Sequence, residues 1–278
     1  MDCRKWIEKY SIDCRLKYNS ENTQSNYISQ VTSFLFHFEN KYREPKEIPT
    51  EKIKLWILEK NSPNTRNHRL CAVKSFYEMT VGMPCKIDKI PFSKKDKKLP
   101  IVLSQSEVQR MFDVCDNLKH KTILALLYSC GLRVSELINL KWSHIDRSRM
   151  IINIIAGKGN KDRQLPLSPP IIPLLEKYFT KYRSKEFVFN GWKNEPQYSP
   201  RSVGLVVQQI ADKANIGKRV YTHLMRHNCF THMVENGIDI NLIQRIAGHS
   251  SVKTTMMYCH ISNNIISKIQ SPLTQITL

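Results

Sequence analysis

The sequence lacks several features that would assign it to common classes of protein. It contains no run of about 18 apolar residues, so no segment is suited to span a bilayer as a helix. Its first residues alternate charged and apolar side chains and do not form the apolar stretch of a secretory signal. We therefore expect a cytoplasmic protein with no membrane partner.

Sequence motifs for metal and nucleotide binding are also missing. The eight cysteines lie at irregular spacings without a CxxC pair, which indicates reduced cysteines used mostly for packing. No glycine-rich Gly-Lys-Ser/Thr loop for phosphate is present. Beyond Lys213 the carboxylates are Glu235 and Asp239 alone, too few for the acidic cluster of a two-metal nuclease. We expect neither a cofactor nor a bound metal.

Basic residues are in large excess. The chain has 43 Lys and Arg against 24 Asp and Glu, a formal net charge of +19. Such a charge creates a long-range field that attracts polyanions, and nucleic acid is the leading partner. A solvated basic surface without a specific ligand is the alternative that charge alone leaves open.

A length of 278 residues favours two domains. Apolar residues at spacings of three and four predict helices over residues 22–42, 50–60 and 63–81, which makes residues 1–92 a helical N-terminal domain. Residues 93–100 form the predicted linker, in a stretch that combines prolines with Lys94, Lys95, Lys97 and Lys98. These lysines are candidates for contacts with a DNA backbone, although an ordinary solvated tether has the same composition.

Residues 101–278 form the second predicted domain. Ser104 and Glu107 make a capping-box pattern that should begin a helix, and an apolar run over 121–129 predicts another. Two β-rich segments, 150–155 and 163–167, are joined by a glycine-containing turn and predict a hairpin. Helical patterns then return and extend to Tyr258. The predicted fold class is mainly α with a small antiparallel β-sheet, a helical domain followed by an α+β domain.

Several basic residues and one tyrosine could carry chemistry, but each also has an ordinary interpretation. Arg133 precedes Glu136 by three residues, a spacing usual for a surface ion pair. Lys158 lies between two glycines of the hairpin turn, where most lysines are merely solvated. His223 and Arg226 share one helix face and could both donate to one anion. A tyrosine near a helix end is normally a core residue.

The order and spacing of these residues carry more information than any one of them. They resemble the active-site signature of the tyrosine recombinases, most closely the Xer proteins and phage or transposon integrases, with Gly248 before His249 and nine residues from His249 to Tyr258. The matching residues are Arg133, Lys158, His223, Arg226, His249 and Tyr258. Residues 131–137 and 247–258 look especially like these proteins, and the helical N-terminal part looks like their core-binding, DNA-binding domain.

The resemblance implies a site-specific DNA recombinase that forms a covalent 3′-phosphotyrosine at Tyr258, for integration, excision or dimer resolution. It implies double-stranded DNA with specific recombination sites as substrate and a homotetramer on two duplexes, and it leaves room for accessory proteins. The apolar stripe of the tail after Tyr258 would then dock on a neighbouring protomer. Packing on its own domain is the alternative.

The residue types suit this chemistry. Arg133 and Arg226 offer permanently charged forks for the extra negative charge of a pentavalent phosphorus, in place of a metal. His223 and His249 could hydrogen-bond the phosphate or move the phenol proton, and Lys158 could protonate the leaving 5′-oxygen. Lys161 lies in the same turn and is an alternative to Lys158 or a further contact with the DNA backbone.

Two other functions fit parts of the sequence. A non-catalytic DNA-binding protein would need only the charge and the helices, and it would leave the ordered series of residues unexplained. A type IB topoisomerase would use the same chemistry. The helical N-terminal domain and the tail after Tyr258 favour a recombinase.

Overall fold

A computed structural model describes residues 1–94, 101–155, 162–191 and 197–261. The chain divides into two compact units, Met1–Lys98 and Leu99–Leu278. The functional division into a DNA-binding domain (1–92), a linker (93–100) and a catalytic domain (101–278) remains a prediction. No helix in the described ranges is long and apolar enough to cross a membrane.

The first unit is built from helices. Their bounds are α1 Cys3–Lys17, α2 Glu21–Phe38, α3 Thr50–Leu58, α4 Pro63–Phe76 and α5 Cys85–Asp88. A short 3₁₀ turn, Pro45–Glu47, precedes α3, and a wide π-type turn, Tyr77–Val81, extends α4.

Phe34 of α2 lies at the centre of this unit. Its ring centroid is 5.2 Å from that of Trp56 on α3 and 6.5 Å from that of Phe76 on α4, both with edge-on geometry. Aromatic rings favour this arrangement because the positive edge of one ring meets the negative face of the other. The helices predicted from apolar spacing therefore pack around one aromatic core.

Two of the longer helices of the first unit differ from the sequence prediction, and the short α5 was not predicted. The helix predicted over 22–42 ends at Phe38, and Tyr42 packs on Phe38 from the following turn, with ring centroids 5.9 Å apart. Helix α1 was not predicted because its buried side chains include two cysteines, Cys3 and Cys14, beside Tyr10. Cysteine behaves as a small apolar residue when buried, so this face is narrow and weakly apolar by sequence.

The second unit combines helices with a small sheet. Its helices are α6 Gln105–Asp113, α7 Leu118–Ser129, α8 Val134–Ile138, α9 Ile171–Tyr182, α10 Pro200–Lys213, α11 Thr222–Glu235, α12 Ile240–Ala247 and α13 Val252–Ile261. The predicted capping box is present: the backbone N–H of Glu107 donates to Ser104 Oγ (3.1 Å), and that of Ser104 donates to Glu107 Oε2 (2.7 Å). Helix α7 is buried on every side from Thr122 to Leu127 and packs against α9 and α11.

Three strands form the sheet within the described residues, in the order β1 Ile145–Asp146, β2 Ile151–Ile154 and β3 Arg163–Pro166. Strands β2 and β3 pair antiparallel, as the hairpin prediction requires, with Ile154 opposite Arg163. The two-residue strand β1 is too short to show a sequence period and was not predicted. The predicted fold class, mainly α with a small antiparallel sheet, is confirmed.

Candidate active site

Arg133 occupies the N-cap position of α8. Gly131, two residues earlier, has φ +59°, and a Cβ at that position would lie 2.7 Å from the ring of Phe230. Glycine is therefore required by both conformation and space. The turn places the Arg133 guanidinium where Nη1 donates to Glu136 Oε1 (2.8 Å) and Nη2 donates to the carbonyl of Ala247 (3.1 Å).

Glu136 is buried, so its ion pair with Arg133 is not the surface pair that this spacing usually indicates. Its carboxylate also accepts two hydrogen bonds from Arg163, each of 2.8 Å, in a parallel fork. Burial alone would raise the pKa of Glu136, but the hydrogen bonds and charges of Arg163 and Arg133 lower it to about 2. A carboxylate that is ionised at neutral pH thus lies between two arginines.

Arg226 projects from α11 into the same cluster and is 1% exposed. Its guanidinium donates to the carbonyl of Gly131 and to that of Ala247, the carbonyl that also accepts from Arg133. Burial and the positive charge of Arg133 lower the pKa of Arg226 to about 10, and the charge of Glu136 opposes this shift. The two arginines predicted to bind one phosphate therefore converge on one backbone oxygen.

His223 lies one turn before Arg226 and is exposed. Partial desolvation, together with the charges of Arg226 and Arg133, lowers the pKa of His223, which shows that the three side chains are electrostatic neighbours. The imidazole of His223 is thus uncharged near neutral pH, and it is open to solvent beside the buried arginines.

His249 follows the end of α12. Gly248 closes the helix with φ +62°. The His249 Nδ1 atom lies 3.0 Å from Oγ1 of Thr255, a buried residue of α13. Burial and the nearby arginines, Arg226 first, lower the pKa of His249 to about 4, so its imidazole is neutral at pH 7.

Tyr258 lies on α13 and is 1% exposed. Its ring is nearly parallel to that of His249, at 16° with centroids 6.2 Å apart, and also contacts Phe230 (5.6 Å) and His227 (5.7 Å). Burial raises the pKa of Tyr258 to about 12, although the charge of Arg226 opposes the shift.

Five of the six residues singled out from the sequence are therefore gathered in the second unit. The sixth, Lys158, lies outside the described residues, as do Lys161 and the linker lysines Lys95, Lys97 and Lys98. Lys94 is described and exposed at the end of the first unit. The tail after residue 261 is also outside the described ranges.

Three residues of the site were missed by sequence reasoning. Arg163 opens a strand and carried no motif, although a charged residue on a half-buried strand was a weak signal. Thr255 lies within a quoted string, but nothing in the sequence marks it as a partner of His249. His227 follows Arg226 directly, and its ring lies 4.5 Å from that of His223 with a buried, unpartnered Nδ1.

Comparison with known proteins agrees with this arrangement. The sequence pattern of the Phage integrase family matches residues 102–264, and that of the phage integrase N-terminal SAM-like domain matches residues 6–87. The tyrosine recombinase XerA of Pyrococcus horikoshii is 32% identical over 264 residues, covering 92% of this chain and 89% of XerA. The chain therefore belongs to the phage integrase family of tyrosine recombinases, enzymes that cleave and rejoin DNA strands.

Solved structures give the same result for the fold. A crystal structure of a XerA recombinase is 26% identical, with a TM-score of 0.57 and coverage of 99% of this chain and 98% of that chain. XerH bound to a palindromic difH substrate in a post-cleavage complex is 16% identical, with a TM-score of 0.77 and coverage of 95% and 93%. The protein is a site-specific DNA recombinase, and the matches do not favour the topoisomerase or the non-catalytic alternative.

Proposed function

We propose that this recombinase cuts DNA by attack of Tyr258 on a phosphodiester, which joins the tyrosine to the 3′-phosphate and releases a 5′-hydroxyl. One observation carries the proposal. Arg133 and Arg226 share the carbonyl of Ala247 as acceptor, and this residue stands two positions before His249, whose ring stacks on Tyr258. The proximity of Arg133, Arg226, His249 and Tyr258 supports their joint action on one phosphate.

The two arginines would stabilise the transition state. Each guanidinium has five N–H groups and uses two of them in the contacts described above, so each keeps donors for the non-bridging oxygens of the phosphate. Because their positions are fixed by protein carbonyls and by Glu136, they need little reorganisation when negative charge develops on the phosphorus.

The phenol of Tyr258 needs a proton acceptor because its pKa of about 12 leaves almost none of it ionised at neutral pH. His249 could accept this proton, because its imidazole is neutral at pH 7 and keeps a free lone pair. The burial and arginine charges that lower its pKa also make it a weak base, and the negative charge of a bound phosphate would counteract them. The contact between His249 Nδ1 and Thr255 leaves Nε2 for the phosphate or the proton. His223, exposed beside the arginines, would add a hydrogen bond to the phosphate.

Lys158 would protonate the departing 5′-oxygen, with Lys161 of the same turn as the alternative. An ammonium on a flexible stem is suited to deliver a proton to a leaving group. The tyrosine ester keeps the energy of the broken bond, so a 5′-hydroxyl of another strand reverses the step without ATP.

DNA is the proposed partner of both units. Structures of XerH bound to difH substrate support this for the fold, and the charge of +19 supports it for this chain. We propose residues 1–92 as the DNA-binding domain and Lys94, Lys95, Lys97, Lys98 and Lys161 as backbone contacts. Exchange between two duplexes requires several protomers, which supports a homotetramer, with or without accessory proteins. A DNA substrate also supports a cytoplasmic enzyme.

A nicked suicide substrate tests the proposal, because loss of the short cleaved fragment prevents religation. Wild-type protein in buffer with EDTA should form an SDS-resistant adduct that maps to Tyr258 and leaves a free 5′-hydroxyl. Tyr258→Phe should bind the site and form no adduct. Tyr221→Phe is the matched control, since Tyr221 is 44% exposed and lies outside the ring cluster.

Three results would contradict the proposal. An adduct on another tyrosine would overturn the assignment of the nucleophile. A strict requirement for Mg²⁺ would overturn the metal-independent mechanism. A 5′-phosphotyrosine would overturn the polarity.

A further inference from the structure

Arg163, the first residue of β3, donates hydrogen bonds within the protein from all three of its guanidinium nitrogens. Nη1 and Nη2 donate to the two carboxylate oxygens of Glu136 at 2.8 Å each, and Nε donates to the carbonyl of Ile246 at 2.9 Å. The side chain is 9% exposed. Arg163 is therefore a poor candidate for direct contact with DNA, because its side chain is largely buried and its donor fork is already paired with the Glu136 carboxylate.

Glu136 connects Arg163 to Arg133. Its two oxygens accept four hydrogen bonds: two from the Arg163 fork, one from Arg133 Nη1 and one from the Arg133 backbone N–H, each 2.8 Å long. A carboxylate with this many donors has little freedom to rotate. Because Arg163 fixes the plane of the Glu136 carboxylate, it also fixes the position of the Arg133 guanidinium.

The end of α12 anchors both arginines. Arg163 donates to the carbonyl of Ile246 and Arg133 to that of Ala247, the next residue along the chain. A Cβ on Gly248 would lie 3.0 Å from Cδ of Arg163, so the absence of a side chain there lets Arg163 pass close to the backbone. Strand β3, α8 and α12 are thereby held together by the hydrogen bonds of Arg163 and Arg133.

The geometry points to Arg163 as a positioning residue for Arg133, acting through Glu136 on the charge that neutralises the phosphate during cleavage. This inference rests on the proposed function of Arg133. A bidentate fork fixes the orientation of a carboxylate, whereas a single ammonium would neutralise its charge without fixing its plane. Arg163 should thus matter for the rate of strand cleavage more than for the binding of DNA.

Single-turnover adduct formation on the nicked substrate measures this role. Arg163→Gln should slow the step by about 10- to 100-fold, by analogy with the loss seen when partners that orient metal ligands are removed. Affinity for the site should stay unchanged. Arg147→Gln is the matched control, because Arg147 also pairs with a glutamate, Glu176, but at an exposed position. It should cleave at the wild-type rate.

A substrate without charge at the scissile phosphorus distinguishes two causes of slow cleavage by Arg163→Gln. One is misplacement of the Arg133 charge, and the other is general damage to the fold. A methylphosphonate at the scissile position removes the negative charge that Arg133 must neutralise. On this substrate Arg163→Gln should therefore form the adduct at nearly the wild-type rate. The ratio of the wild-type rate to the variant rate should be at least tenfold smaller than on the ordinary phosphate. If Arg163→Gln does not fold, Arg163→Lys, which keeps the charge and loses the fork, takes its place in the same comparison.

The outcomes are distinct. A deficit of equal size on both substrates would overturn the inference, because the defect would then not pass through Arg133. Wild-type rates for both Arg163 variants would overturn it as well. If wild-type protein itself forms no adduct with either substrate, the proposed function fails. This result is distinct from a failure of the inference about Arg163, which requires an active wild-type protein.

Discussion

The burial of Glu136 changes how its ion pair with Arg133 is interpreted. By sequence, Arg133 and Glu136 form an ordinary pair three residues apart on a helix. In the structure Glu136 is 8% exposed, and its carboxylate also pairs with Arg163, 27 residues further along the chain. Burying an ionised carboxylate is costly unless it is paired and hydrogen-bonded, and here every lone-pair direction is used. The pair of Arg133 and Glu136 is thus part of the buried hydrogen-bond network of the site.

The depressed pKa of Glu136 predicts a dependence of stability on acid. Its folded-state pKa of about 2 lies below the ordinary value of 4.5, so its stabilising contribution is complete above pH 4.5 and is lost as the pH falls toward 2. The loss should be on the order of 3 kcal/mol. Urea denaturation at a series of pH values measures it, with Glu136→Gln as the comparison.

The wild-type free energy of unfolding should fall more steeply between pH 4.5 and 2 than that of Glu136→Gln. His227 and His249, whose pKa values burial lowers to about 4, are present in both proteins, so their protonation cancels in the difference. Parallel curves for the two proteins would show that Glu136 keeps an ordinary pKa.

At the scale of elements, the site is made from helix ends and one strand end. The N-terminus of α8 presents Arg133, the C-terminus of α12 presents two carbonyls, and the start of β3 presents Arg163. The carbonyls at a helix C-terminus lack partners within the helix and carry partial negative charge, so they attract guanidinium groups. Helix α13 then closes the site with Tyr258.

The burial of Tyr258 predicts that α13 must move before cleavage. A phenol that is 1% exposed has no path to a phosphate of a duplex, and its pKa of about 12 also keeps it protonated. In the DNA-free protein, tetranitromethane should therefore nitrate Tyr221, which is 44% exposed, well before Tyr258. Mass spectrometry of the tryptic peptides reports the order. Nitration of both residues at equal rates would indicate that α13 opens freely without DNA.

For the whole molecule, the excess of positive charge predicts how binding responds to salt. A protein that neutralises six or more phosphates releases that many counterions, so the observed affinity should fall roughly 10³-fold or more between 50 and 200 mM salt. Fluorescence anisotropy with a labelled duplex measures the slope. Arg133→Ala should shift the curve little, because its charge serves one phosphate, and a flat response of the wild-type protein would contradict a binding mode dominated by backbone contacts.

Much of this protein could be predicted from the sequence because the relevant signals are local. Apolar spacing gave most helices, the Ser104 and Glu107 pair gave the start of α6, and the β-rich segments gave the hairpin of β2 and β3. The ordered series from Arg133 to Tyr258 identified the family, since residue types at fixed spacings are visible without a fold. Elements without such signals, α1, α5 and β1, were missed.

Only the tertiary structure decided which side chains share partners. No periodic pattern in the sequence indicates these contacts. They are the ion pair of Arg163 with Glu136, the hydrogen bonds of Arg133 and Arg226 to the carbonyl of Ala247, and the contact of His249 with Thr255. The burial of Tyr258 depends in the same way on how α13 packs on α11 and α12. The sequence by itself determined the chemical groups and their order, because these are covalent properties of the chain. Packing decided their protonation and geometry, because both depend on neighbours that only the fold brings together.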